Sequence, residues 1–304
     1  MSSVNMPYHI PALLKETVDL LHIKPNGIYV DCTFGGGGHS RAILDKLGPG
    51  GRLFGFDRDI DAFSNAPQDP QFTFVHGDFR YIENFLEFYG VDHVDGILAD
   101  LGVSFHHFDT PERGFSFRMD APLDMRMNQK AAKTAAQILA EADEQKLFDI
   151  FKAYADLKKT GSVVKALISA KGKQPIETTS QLAEAVKNGL DPKQEKKELA
   201  QVFQALRIAV NHEAEDLKLF LNSTLKVLKP GGRLVTLTYH SMEDRMVKNF
   251  FKTGNIEGKE EKDFFGNLET KWKLITRKPI EASEEEVGRN PRARSARLRA
   301  AELI

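Results

Sequence analysis

Between residues 28 and 99 the chain alternates short apolar runs with helix-like stretches, a rhythm that few folds accommodate. The runs are residues 28–32, 52–56, 72–75 and 94–99, and apolar residues at helical spacing occupy 11–21, 40–47, 60–65 and 81–89. Few polar residues interrupt the runs, as expected of strands buried on both faces. Strand–helix–strand units at this spacing predict a parallel sheet covered by helices.

The rhythm stops after residue 99. It resumes with a helix-like stretch at 205–228 and an apolar run at 233–239, joined by Lys229-Pro230-Gly231-Gly232. Roughly a hundred residues intervene where a crossover needs about a dozen, too many for a structureless loop. Within them Thr134 pairs with Gln137, and Thr178 with Gln181, at capping-box spacing. Leu147, Phe151, Tyr154 and Leu157 recur every three or four residues. The pattern predicts an inserted all-helical domain at 125–205, interrupting a sheet domain made of 1–124 and 206–304. A helix at 243–251 and late strands at 272–277 and 296–304 complete the expectation. Five parallel strands with two late ones is an α/β, class I (Rossmann-like) layout, used by methyltransferases and by other nucleotide-binding proteins.

Composition narrows the function. Lys plus Arg number 42 and Asp plus Glu 43, a net charge of −1 that excludes a uniformly basic nucleic-acid binder but not a local basic patch. A hydrophobic share of 41% excludes a disordered chain. Cys32 is the single cysteine, so no disulfide framework or cysteine-based zinc site exists, and a reducing compartment fits. The nine histidines show no metal-ligand spacing, so no metal is expected. No basic-then-apolar leader and no run of membrane length occur, so the expectation is a soluble, cytoplasmic protein without membrane contact.

Tyr29-Val30-Asp31-Cys32-Thr33-Phe34-Gly35-Gly36-Gly37-Gly38-His39-Ser40 joins the first strand to the first helix. Glycines there let the backbone approach a ligand, and a helix start offers free N–H groups. Four consecutive glycines lose much chain entropy on ordering, which favours a ligand loop over a plain tight turn. The spacing is not G-x-G-x-x-G and no Gly-Lys-Ser/Thr follows, so a P-loop is excluded. Asp57 ends the second strand 22 residues after Gly35, where an acid meets ribose hydroxyls in such sheets. Phe79, after His76-Gly77-Asp78, is placed to cover an adenine face, although with 21 phenylalanines in the chain a core role is nearly as good. Together these features indicate an adenosine ligand without choosing between NAD and S-adenosylmethionine.

The fourth strand ends in Ala99-Asp100-Leu101-Gly102-Val103-Ser104, followed by Phe105-His106-His107, Arg113-Gly114-Phe115-Ser116-Phe117 and Pro122-Leu123-Asp124-Met125-Arg126-Met127. Further along stand Phe203-Gln204-Ala205-Leu206-Arg207-Ile208, Tyr239-His240-Ser241-Met242-Glu243-Asp244-Arg245 and Asn290-Pro291-Arg292-Ala293-Arg294-Ser295. With the glycine loop and His39, these motifs resemble, along essentially the whole length, the ribosomal small-subunit methyltransferase H family, also called MraW. The resemblance implies methyl transfer from S-adenosyl-L-methionine to N4 of a decoding-centre cytidine, with 16S rRNA or the small ribosomal subunit as partner. It implies a class I fold with a helical insert that serves substrate recognition. Carried over by position, the cofactor contacts are Gly37, Gly38, His39, Asp57, Phe79, Asp100 and His107. The chain departs from the family pattern at Gly36, often Arg, and at Phe105-His106-His107, often Ser-Pro-Gln. A histidine at 107 donates or accepts as a Gln amide does, but its charge changes near neutrality.

Cytosine N4 is a poor nucleophile because its lone pair is delocalised into the ring. An acceptor on N4–H holds the amine as it pyramidalises towards the methyl group, and Asp100 is the best-placed candidate. The Asp/Asn-Pro-Pro-aromatic turn of many amino-methyltransferases is absent. His240 is a candidate to orient the base or take the released proton, against an equal alternative as a strand-end histidine bonded to backbone. Arg289, Arg292, Arg294, Arg297 and Arg299 place five arginines within eleven residues, read as an RNA-phosphate stripe with Arg292 and Arg294 at its centre. The alternative is a solvated strand face balanced by Glu284-Glu285-Glu286. Two other functions remain open: a nicotinamide-dependent oxidoreductase, which the glycine spacing disfavours, and a non-catalytic RNA-binding assembly factor, which the intact Asp57 and Asp100 disfavour.

Overall fold

The computed structural model describes residues 11–101, 113–127, 133–262, 264–265 and 270–304. The chain divides into two compact units, one made of Met1–Gly102 with Asp216–Ile304 and the other of Val103–Glu215.

The first unit is the sheet. Its parallel strands are β1 (Ile28–Asp31), β2 (Arg52–Asp57), β3 (Phe72–His76), β4 (Val94–Asp100) and β5 (Leu228–Thr238), joined by β6 (Trp272–Leu274), β7 (Ile280–Glu281) and β8 (Arg297–Leu303). The order is β3-β2-β1-β4-β5-β8-β6, with β7 also paired to β8. β8 runs antiparallel between β5 and β6. The order reverses between β1 and β4, so the crevice beyond their carboxyl ends is where such a sheet takes a ligand. Helices α1 (Leu14–Leu21), α2 (Gly38–Leu44) and α3 (Ile82–Phe88) follow the early strands. α9 (Glu213–Val227), which enters this unit at Asp216, α10 (Ser241–Thr253) and the short α11 (Glu284–Arg289) follow later. Val30, Leu53, Phe54, Ile97 and Leu98 are sealed from solvent, as the uninterrupted apolar runs require.

Three details differ from expectation. The stretch at 60–65 is a 3-10 helix, begun by Asp59 accepting from Asp61 N. The Lys229–Gly232 turn lies inside β5 as a bulge, since Val94 pairs Leu228 while Gly96 already pairs Arg233. The strand expected at 272–277 stops at Leu274.

The second unit holds α4 (Ala135–Glu141), α5 (Glu144–Tyr154), α6 (Thr160–Lys171), α7 (Thr179–Lys187) and α8 (Glu195–Asn211). Both capping boxes form, Thr134 with Gln137 and Thr178 with Gln181. Leu147, Phe151, Val163, Leu167, Leu182, Val202 and Leu206 build one apolar core. This unit is wider than the 125–205 segment. α8 belongs to it because Val202, Phe203, Ala205 and Leu206 face its core. The helical run at 205–228 is therefore two helices, parted at His212 in the left-handed region (φ 54). On the other side, segment 113–127 is tied in by Asn211, which accepts from Met127 N at 2.7 Å and donates to the Met125 carbonyl at 2.8 Å. Arg113 donates to the Met127 carbonyl at 2.9 Å.

Candidate active site at the carboxyl edge of the sheet

β1, β2 and β4 each end in an aspartate, and these three acids organise the edge. Asp31 is buried. Its Oδ2 accepts from Ser40 Oγ at 2.6 Å and its Oδ1 from Thr33 N at 3.1 Å, so it ties β1 to both ends of the glycine loop. Burial raises its carboxyl above the usual range, while the facing His39 and the Ser40 hydroxyl pull it down. Asp31 has no motif to mark a role in the sequence; its one signal is a lone carboxylate at the end of a sealed strand.

Asp57 Oδ2 accepts from Gly35 N and Oδ1 from Asp59 N, each at 2.8 Å. Burial raises this carboxyl too, and the two N–H donors lower it. A carboxylate oxygen takes two donors, so each oxygen keeps a lone pair that can receive a ribose hydroxyl. The loop itself is set by Gly37, whose φ of 72 is costly for any residue with a Cβ. At Gly38 a Cβ would stand 2.3 Å from Pro11 Cγ, so residue 38 must be glycine for segment 11–13 to lie across the loop.

Asp100 ends β4 with its backbone N donating to Thr33 Oγ1 at 2.8 Å. Its Oδ2 lies 3.9 Å from His39 Nδ1. Burial first, then the nearby Asp100 charge, pushes the Tyr239 phenol far above its ordinary value. Oδ1 is buried and has no hydrogen-bond partner among the described residues. His39 is buried, with Nε2 3.2 Å from the Ala12 carbonyl.

Phe79 opens a 3-10 turn capped by Asp78, which accepts from Arg80 N at 3.0 Å. The Arg58 guanidinium lies 5.2 Å from the Phe79 ring centroid, and the Phe220 ring meets it edge-on at 5.1 Å. Arg58 and Arg80 are themselves held by Asp78 and Asp216. Arg58 and Phe220 thus fix the Phe79 ring at the end of β3. His240 caps the start of α10, its carbonyl accepting from Asp244 N at 3.0 Å. His107 lies outside the described residues.

The arginine stripe is corrected. Arg299 is buried and grips Asp244 with two bonds of 2.7 and 3.1 Å. Arg297 reaches the same carboxylate at 3.2 Å, and Arg289 pairs with Glu285 at 2.7 Å. Arg297 and Arg299 lie on one face of β8, and Arg299 is the one buried, where it meets the buried Asp244. Arg292 and Arg294 are exposed on the 3-10 turn Pro291–Ser295. Among the described residues no group of three His, Cys, Asp or Glu side chains is placed to hold a metal, and no helix is long and apolar enough to cross a membrane.

The sequence matches the model of the MraW methylase family over residues 6–304. A protein of Bacteroides fragilis strain YCH46, named ribosomal RNA small subunit methyltransferase H, is 56% identical over 302 residues, covering 99% of both chains. One of the same name from Flavobacterium johnsoniae is 52% identical over 302 residues, covering 99% of this chain and 100% of its own. An rRNA methylase structure from Streptococcus thermophilus aligns with a TM-score of 0.41 at 10% identity, over 100% of this chain and 99% of that one.

Proposed function

The chain belongs to the MraW methylase family, and we propose that it transfers a methyl group from S-adenosylmethionine to N4 of a decoding-centre cytidine in 16S rRNA. The substrate is the rRNA itself or the small ribosomal subunit that carries it. The name shared by the relatives supports the rRNA part. The observation that carries the chemistry is Asp100, held at the strand end through its backbone N–H to Thr33, with a carboxylate oxygen that has no partner among the described residues.

When bound, S-adenosylmethionine supplies an electrophilic methyl group on a sulfonium sulfur. Asp57 accepts the ribose hydroxyls with the lone pairs that Gly35 N and Asp59 N leave over. Gly37 and Gly38 bring backbone to the ligand, His39 meets its amino-acid end, and Phe79 packs against adenine. Asp100 accepts from the cytosine amine. As that nitrogen pyramidalises it gains positive charge, so the interaction strengthens towards the transition state, the condition for catalysis. Proton loss follows transfer, so no strong base is needed; His240 orients the base or receives the proton. Arg292 and Arg294 contact RNA phosphates, and the helical unit contributes substrate recognition.

Nucleoside analysis of small-subunit rRNA from a strain lacking the gene tests the assignment. N4-methylated cytidine should fall at one position and return when the wild-type gene is restored. An unchanged nucleoside profile would sink it.

A further inference from the structure

Segment 11–13 crosses the glycine loop and is held from a distant part of the chain. Leu13 N donates to Glu286 Oε1 at 2.6 Å, across 273 residues of sequence. Leu13 is buried and left-handed (φ 52, ψ 37), a conformation disfavoured for a leucine and retained only where surroundings impose it. The same peptide unit carries the Ala12 carbonyl, 3.2 Å from His39 Nε2. In a trans peptide the N–H and C=O point in opposite directions from one rigid plane. Glu286 and His39 therefore grip the Ala12–Leu13 peptide from its two sides. A carbonyl only accepts, so His39 Nε2 is the protonated nitrogen and Nδ1 turns to Asp100 Oδ2, 3.9 Å away. A carboxylate on the N–H polarises the peptide and makes its carbonyl a stronger acceptor.

We propose that Glu286 is a positioning residue for the cofactor pocket, fixing His39 through the Ala12–Leu13 peptide as the Nε2-protonated ring with Nδ1 aimed at the Asp100 edge. There Nδ1 and Asp100 Oδ2 lie close enough to share one donor nitrogen of a ligand at ordinary hydrogen-bond distances. That nitrogen is the ammonium of an amino-acid end, an identity that rests on the S-adenosylmethionine assignment. A lesser role for Glu286 is to cap α1, since a carboxylate beside a helix start is favourable in itself. A cap would alter stability but not the ring of His39.

The full chain, without ligand, is therefore compared as wild type, Glu286→Ala and Glu286→Gln by nitrogen NMR of the His39 imidazole, and each protein is titrated with S-adenosylmethionine by calorimetry. Alanine should replace the single-tautomer pattern of His39 by an exchanging one and weaken the ligand about tenfold, the scale of one charged hydrogen bond. Glutamine still accepts from Leu13 N, so it should keep the wild-type pattern and bind within about threefold of wild type. Wild-type His39 shifts and affinity in the alanine protein, whatever its melting temperature, would overturn the proposal and leave a helix cap. Should alanine fail to fold, Glu286→Asp replaces it: the charge stays but the oxygen is withdrawn, so Asp should lose what Gln keeps. The reverse order would also overturn it. If wild type binds no S-adenosylmethionine, the ligand assignment fails, while the NMR comparison, made without ligand, still judges Glu286.

Discussion

The helical unit and the carboxyl edge of the sheet both bury charge, and they treat it differently. In the helical unit, Arg207 and Glu213 close on each other through two bonds of 2.9 and 3.0 Å. Gln201 Oε1 is the exception there. At the sheet edge, Asp57 is held by donors that leave it acceptor capacity, and Asp100 carries an oxygen without a partner among the described residues. Buried charge costs free energy unless it is paired. A region that closes its charges is built for stability, and one that leaves acceptors open is built to receive a donor.

The sharpest way to break this contrast is to open a closed pair. Arg207→Ala should destabilise the protein by about 3–5 kcal/mol, because Glu213 is left with an uncompensated charge. Chemical denaturation measures this, and S-adenosylmethionine affinity of the folded protein should stay at wild type. A stable variant with altered affinity would erase the distinction between the two regions.

Asp100→Asn tests the open side. The amide still accepts but lacks the charge that favours a developing cation, so single-turnover methyl transfer at saturating cofactor should fall about 10²-fold or more. Affinity should fall less. Equal rates at saturation would reduce Asp100 to a binding residue and move attention to His240.

Asp57→Ala should weaken S-adenosylmethionine by about 2 kcal/mol, within the range of hydrogen bonds to a charged group. Its stability effect has a defined sign with pH. Burial raises the Asp57 carboxyl above its ordinary value of 3.8, so the fold holds this proton more tightly than the unfolded chain does. The group's contribution is present below 3.8 and is lost as pH rises through the raised value. The stability of wild type relative to Asp57→Ala should accordingly decline as pH is raised across that window. Unfolding curves that keep a constant gap would contradict the burial account.

The smallest effect concerns the arginines. Replacing Arg292 and Arg294 together should lower the salt dependence of RNA binding by about 1.5 units of slope, with cofactor affinity unchanged. An unaltered slope would make these two solvated surface, whereas Arg299 is a buried partner of Asp244 and Arg297 an exposed one.

What the sequence made legible follows from the range of each interaction. Capping boxes lie within four residues, and strand-end acids lie next to the runs they terminate, so Thr134, Thr178, Asp57 and Asp100 could be placed without a structure. Arg299 closes on Asp244 across 55 residues and Glu286 reaches Leu13 across 273, and nothing local marks either pairing. The boundary near 206 was misplaced for a related reason. The chain turns at His212, a residue with a Cβ in a left-handed conformation, where a glycine would have announced the break.

The position of β8 has a consequence for how the protein comes into being. Residues 297–303 lie between β5 and β6, so the sheet cannot be completed in order of synthesis. When β1 to β5 have left the ribosome, the free side of β5 is an unpaired row of backbone donors and acceptors, an invitation to pair with another chain. It stays open until the last strand arrives to supply Arg299 for Asp244 and the partner residues for Arg233–Thr238. Nascent chains arrested before residue 297 should thus be the aggregation-prone species, and release of β8 should mark the step at which protection of the β5 amides appears.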